Sequence, residues 1–358
     1  MIVNSLKPLV YLFKSKSLCI FDPIFKMHTK LTVYFLLIFS FIISGHSWTG
    51  KPIDCFIDKE RKAFADALCW ANGTFTIENT PELMNGRQIF RQAYHYQRYY
   101  QWIVIILMVE AGLFSVPERL WKAWEHGRIQ QLSSDLNADV ITSNSENYEK
   151  DKKRVLRYLK MNNSHIHGTY VFRYVCCEVM NFLNVVLNMY IFNVIFGRFW
   201  SRYLPAVLSL FTTEGPTFST LASVIFPITA KCSYSDVGHS GSEQYHDALC
   251  LLTLNVVNEK VFAFLYIWYV LLLFTSGLNL IWRSLILLSS TLRLKIIQSS
   301  TKWTEPLTEN EVKKILPNDN IGDWFIMFLL GQNLNPYAFK EILDELSTSK
   351  ELLNNDIV

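Results

Sequence analysis

Reactive constellations are missing from this 358-residue chain. It has no glycine-rich loop of the kind that cradles phosphate and no serine elbow between a strand and a helix, which removes nucleotide-binding and hydrolase readings. Its histidine clusters are His165-x-His167 and the pair His239 and His246. Neither comes with a carboxylate or cysteine at metal-binding spacing, so both are read as surface histidines. Basic residues do not alternate with aromatics in a nucleic-acid-binding manner, and the formal net charge is only +3. The expectation is a protein without catalytic residues, metal, cofactor or nucleic-acid partner.

What is present is apolar sequence in long runs. Half the residues are hydrophobic, an ordinary fraction, so the distribution and not the total decides the class. Val261 to Ile281 carries no formal charge and lies between Glu259-Lys260 and Arg283; at about 1.5 Å per residue it can cross a hydrocarbon core of ~30 Å. Leu31 to Ser47 follows Lys26, His28 and Lys30 and precedes Trp48, whose indole suits the outer interface. A cleaved signal peptide competes there, but Ser-Gly-His-Ser-Trp offers no good small-x-small cleavage site, so the run is read as a retained helix. Tyr99 to Trp124 has aromatics at both ends, Glu110 inside and Pro117, which is expected to kink the helix without ending it. Val179 to Phe196 places Asn181, Asn184 and Asn188 on one face, which lipid cannot satisfy and which is expected to meet other helices or water. Leu204 to Phe211 and Leu221 to Phe226 are too short to span.

The expected order is an N-terminal segment at 1–30, spans at 31–47, 99–124, 174–198 and 259–282, outer loops at 48–98 and 199–258, a cytoplasmic loop at 125–173 and a cytoplasmic helical region at 283–358. The fold class is an all-α polytopic membrane protein: a four-helix transmembrane bundle with disulfide-stapled extracellular loops, in which short strands are allowed, and a cytoplasmic helical cap. Basic flanks set the orientation. Lys26, Lys30, Lys122, Arg128, Arg157, Lys160, Arg173, Arg283, Arg293 and Lys295 adjoin the inner ends, so both termini are expected in the cytoplasm, although the first outer loop also carries basic residues.

That topology sorts the cysteines. Cys19, Cys176 and Cys177 fall on the reducing side, whereas Cys55, Cys69, Cys232 and Cys250 face an oxidising exterior and form a disulfide framework. Four cysteines allow three pairings, and spacing does not choose between them. Such staples are read first as rigidity for loops that have little core.

The remaining motifs are modest. Asn72-Gly73-Thr74 is a glycosylation sequon in the first outer loop, where a glycan would favour an unpaired surface; Asn162-Asn163-Ser164 lies on the cytoplasmic side and is silent. Lys152-Lys153-Arg154 is read as a solvated helix face in preference to a site for acidic lipid. Leu6, Val10 and Phe13 fall at helical spacing, and in the tail the stretches Val312–Leu316, Trp324–Leu330 and Ala338–Leu346 do the same, as in a packed cap.

A family resemblance runs along nearly the whole chain. Tyr99-Tyr100-Gln101-Trp102-Ile103 resembles the YYQWV signature of innexins, the invertebrate gap-junction family, with Ile103 in place of valine. Met27-His28-Thr29-Lys30-Leu31-Thr32, Pro52-Ile53-Asp54-Cys55, Leu120-Trp121-Lys122-Ala123-Trp124-Glu125-His126-Gly127-Arg128, Asn258-Glu259-Lys260-Val261, Ile321-Gly322-Asp323-Trp324-Phe325 and Leu334-Asn335-Pro336-Tyr337 are similar to other family segments.

The resemblance implies a large-pore channel subunit, or a viral innexin-like relative. It implies a ring of roughly six to eight identical or related subunits in plasma-membrane lipid. It also implies gap-junction localisation, an opposing hemichannel as partner, and an N-terminal segment that folds into the pore. It further implies the pairings Cys55 with Cys250 and Cys69 with Cys232. Glu110 departs from the family's uncharged residue; it is read either as a contributor to pore electrostatics or gating, or as a buried, paired or protonated carboxyl between helices. The competing function is a four-helix adhesion or scaffold protein without a conducting pore.

Overall fold

Each of the four long apolar runs marked out above becomes largely helical, with boundaries that differ from those of the run. The computed structural model describes residues 20–84, 87–133, 136, 145–160, 164–212, 215–237, 240–300, 315 and 320–355. An α-turn at Pro23–Lys26 and a π-turn at Met27–Leu31 lead into α1 (Thr32–Thr49). The first outer region holds β1 (Asp54–Phe56), α2 (Lys62–Asn72), β2 (Thr74–Met84) and β3 (Arg87–Gln97). After a 3-10 turn at Tyr99–Gln101 come α3 (Ile103–Glu125), α4 (Arg128–Ser133), α5 (Ser145–Lys160) and α6 (Ser164–Ile195). The second outer region holds α7 (Phe199–Ser209), α8 (Phe218–Ala222), β4 (Thr229–Val237) and β5 (Glu243–Leu251), followed by α9 (Thr253–Leu288), α10 (Ser290–Ser300), α11 (Ile321–Asn333) and α12 (Pro336–Asn355).

Helix boundaries differ from the apolar runs because lipid sets the length of the run whereas backbone hydrogen bonding sets the length of the helix. Thus α6 starts ten residues before 174, and α9 extends at both ends of 259–282. Pro117 lies inside α3, which continues to Glu125. Among the described residues, three helical stretches are long and apolar enough to cross a membrane: Pro23–Trp48, Ile166–Ile195 and Thr253–Leu288. They leave large apolar side chains uncovered, including Phe41, Tyr190 and Phe274, at 78%, 65% and 67% exposure. Water would not tolerate such continuous stripes, but lipid does. Helix α3 is less apolar, carrying Glu110, Glu118, Arg119, Lys122 and Glu125.

The chain forms two compact units. One comprises 27–116 and 181–275; the other comprises the described part of Met1–Lys26 with 117–180 and 276–358. In the first, the helical segments meet through rings: Phe192, Phe196, Phe199, Phe226 and Phe262 approach one another with centroids 5.0–6.2 Å apart. Lipid removes most of the hydrophobic drive between helices, so close packing of this kind is what holds them, at about 0.5–1.5 kcal/mol per aromatic pair. Asn181 and Asn188 are buried, and Asn188 donates to the Asn184 carbonyl oxygen at 2.7 Å, so that polar face turns inward.

The outer regions of that unit build one five-stranded sheet, ordered β1-β5-β4-β2-β3. Beside the three-residue β1, the other four strands run to nine or eleven residues, longer than the short strands allowed for. Their inward residues alternate, with Ala230, Cys232 and Tyr234 of β4 buried between exposed neighbours, as pleating requires. Polar outward positions kept these segments from standing out as apolar sequence. Gly73 caps α2 with φ +91°, and a Cβ there would meet the Gln97 carbonyl oxygen at 2.9 Å.

The second unit is helical. Trp324, Phe325, Ile326, Met327, Leu329 and Leu330 of α11 are all buried, with Phe339, Leu343 and Leu346 of α12 in the same cluster. His167, expected at the surface, is fully buried instead: its Nδ1 lies 2.5 Å from Asp323 Oδ1, a partner 156 positions away that local spacing does not reveal. Lys152 is likewise buried and not on a solvated face, because it meets Glu341 at 2.6 Å and Glu345 at 3.1 Å; Lys153 and Arg154 remain exposed. The expected N-terminal helix, Cys19, His239 and the Asn162-Asn163 pair lie outside the described residues, as does most of Val312–Leu316.

Candidate functional site

Strand register brings the outer cysteines together. Cys55 of β1 sits opposite Cys250 of β5, and the two are bonded with S–S 2.04 Å. Cys69, in the last turn of α2, is bonded to Cys232 of β4 with S–S 1.99 Å. Both bonds join the first outer region to the second, across 195 and 163 residues. All four cysteines are buried in one small cluster with Ile53, Ala65 and Tyr234. That cluster is too small to fix two long loops alone, so covalent closure supplies what core burial does not. At its edge Lys62 binds Asp54 at 2.6 Å, and that hydrogen bond holds the Asp54 carboxyl below its ordinary range.

The Tyr99-Tyr100-Gln101-Trp102 signature is the brace beneath this platform. Tyr100 stacks on Trp70 of α2 at 4.6 Å, and its hydroxyl donates to the Cys69 carbonyl oxygen at 3.5 Å. Gln101 donates to the carbonyl oxygens of Trp70 and, at 3.2 Å, Ala71. Tyr99 donates to the Ile225 carbonyl oxygen at 3.0 Å and accepts from Asn255 at 3.1 Å. Three consecutive residues at the entry of α3 thus hold α2, the turn at Ile225 and the start of α9. Trp102 is 57% exposed, as an interfacial indole is expected to be. Asn72 ends α2 on an exposed surface.

Glu110 of α3 is 1% exposed inside this unit and accepts a 2.9 Å hydrogen bond from the Tyr269 hydroxyl of α9. Of its two readings, this burial favours the carboxyl held between helices. Sequence reasoning passed over a second polar centre, in the second unit: Arg283 donates to Glu178 at 2.8 and 3.0 Å and to Asp22, while Asn279 also reaches Glu178. Glu178 stands one residue before the apolar run that began at Val179, so it reads in sequence as a flank.

Membrane-length helices with uncovered apolar faces, and a sheet doubly cross-linked between their connecting regions, define a polytopic membrane protein with a covalently stiffened platform. A model of the Innexin family matches residues 21–350, and the chain belongs to that family. It is 38% identical to Innexin inx4 of Anopheles gambiae over 96% of this chain and 91% of that one. It is 34% identical to Innexin inx2 of Drosophila melanogaster (94% and 93% covered) and 31% identical to Innexin shaking-B of the same species (90% and 88%). Innexins are channel proteins rather than enzymes.

Proposed function

We propose that this chain is one subunit of an oligomeric large-pore channel in the plasma membrane, passing ions and small molecules across it or between apposed cells. The observation that carries the reading is the outer platform: two inter-loop disulfides, a shared sheet and the Tyr99–Trp102 brace make a rigid surface at the head of membrane-length helices. Such a surface suits a ring of roughly six to eight subunits and docking against an opposing ring.

Four spans are part of the proposal. Helix α3 has 23 residues, about 35 Å of rise, enough for a ~30 Å core. Its acidic Glu110 is covered by Tyr269 and so does not meet lipid. With four spans and basic flanks at Lys122, Arg173 and Arg283, both termini lie in the cytoplasm. Purified protein in liposomes tests the reading: it releases an entrapped dye and carries ionic current, whereas an adhesion scaffold does neither.

A further inference from the structure

A cavity of about 440 Å³ opens beside the last residues of α6, lined by Ile195, Phe196, Gln97, Arg202 and Val224 among others. Three features make it more than a surface dent. Gln97 is nine-tenths buried, and its carbonyl oxygen Oε1 has no hydrogen-bond partner, although its amide nitrogen donates to Thr76 at 3.4 Å. A buried acceptor left bare is destabilising, so the position favours a ligand that donates an N–H or O–H. Arg202 is exposed at the rim, and among the described residues its guanidinium has no carboxylate partner. Ile195, Phe196 and Val224 supply an apolar wall.

Position adds the ligand's class. Ile195 is the final residue of a membrane-length helix, so the cavity begins where hydrocarbon gives way to headgroups. Tyr96, 73% exposed, lines it, as aromatic side chains do at that depth. We propose that this cavity holds one outer-leaflet phospholipid whose headgroup joins a phosphodiester to a primary ammonium, as in phosphatidylethanolamine. Arg202 takes the phosphate by charge-assisted hydrogen bonds, the ammonium donates to Gln97 Oε1, and an acyl chain lies along Ile195 and Val224. A choline headgroup has the same phosphate but no N–H to give, so the site discriminates against it. The inference rests on the membrane orientation proposed above.

The test is lipid retention by the full-length protein. It is reconstituted in equal mixtures of phosphatidylethanolamine and phosphatidylcholine, and bound lipid is weighed by native mass spectrometry after gentle delipidation. The wild type is expected to keep phosphatidylethanolamine about tenfold over phosphatidylcholine, the worth of one good hydrogen bond to a charged donor. Arg202→Gln is expected to lose both lipids, and Gln97→Met, close in volume, to keep a lipid without the preference. Unchanged melting temperature and intact disulfides in each variant show that folding is not the cause.

Equal retention of both lipids by the wild type, no retained lipid, or variants that behave like wild type overturns the proposal. Displacement of the lipid by free phosphoethanolamine alone reassigns the site to a soluble ligand and also overturns it. Dye release is read from the same liposomes. Selective retention without release removes the channel reading and leaves this one; release without selective retention does the reverse.

Discussion

Glu178 of α6 and Arg283 of α9 form a two-point ion pair away from water: Nε donates to Oε2 at 3.0 Å and Nη2 to Oε1 at 2.8 Å, with both residues no more than 5% exposed. Asp22 joins them from the segment that leads into α1, its carboxylate accepting from the same guanidinium and its N–H donating to the Tyr174 hydroxyl at 3.3 Å. Removing one member of a buried pair strands the other charge, at about 3–5 kcal/mol, whereas replacing both with apolar residues is far milder. Arg283→Met is therefore expected to lower the melting temperature sharply, and Glu178→Met/Arg283→Met to recover part of the loss, since Asp22 still lacks its partner. A double mutant as unstable as the single one would show that the pair is not coupled.

The two disulfides join the same pair of outer regions, so each partner's loss removes one cross-link. Cys55→Ser and Cys250→Ser are expected to destabilise equally, by about 2–5 kcal/mol, and the double replacement to be no worse than either. Thermal unfolding of the wild type and the three variants checks this. A double mutant much less stable than both singles contradicts the pairing.

Because Glu110 is enclosed within its own subunit and bonded to Tyr269, Glu110→Gln keeps an acceptor of the same shape. It is expected to leave cation-to-anion permeability unchanged, while Glu110→Ala and Tyr269→Phe each cost about 1–3 kcal/mol of stability. Reversal potentials in asymmetric salt give the first quantity and melting curves the second; a shifted reversal potential in Glu110→Gln would return this carboxyl to the pore.

Lys152 ties α5 to α12 through Glu341 and Glu345, with Glu149 at 3.6 Å and the Tyr148 hydroxyl donating to Glu341 at 2.9 Å. Burial of Lys152 opposes its charge, but the two glutamates more than offset this and raise its pKa; in return its hydrogen bond holds the Glu341 carboxyl below the ordinary range. A depressed carboxyl stabilises above its unfolded pKa of about 4.3 and loses that contribution as pH falls through the lower folded value. Glu341 is 46% exposed, so solvent screening keeps the effect under about 1 kcal/mol. Amide protection in residues 145–160, measured against the intrinsic exchange rate at each pH, is expected to fall on acidification below about pH 4.3. Glu341→Gln should show that reduced protection already at neutral pH; if it exchanges like wild type there, the contact does not hold α5.

What the sequence made legible followed from its periodicities. Val261–Ile281 needed only its uninterrupted apolar length, and the inward face of Asn181, Asn184 and Asn188 needed only helical spacing. Contacts between distant segments left no such trace. Asp22 sits 261 positions from Arg283 and His167 156 from Asp323, so neither residue announces its partner. The opposition of Cys55 and Cys250 is a matter of strand register, which spacing leaves open and which only the resemblance suggested. Lys152 looked like part of a solvated basic run because its glutamates lie on a helix nearly two hundred residues later.

The central claim is that this platform crowns a conducting pore, and paired-cell recording in a background free of other such channels tests it most directly, with dye uptake in single cells alongside. The account predicts current between apposed cells, or dye uptake through unpaired channels in single cells, and loss of either in Cys55→Ser. Neither current nor uptake from protein shown to reach the cell surface would contradict it.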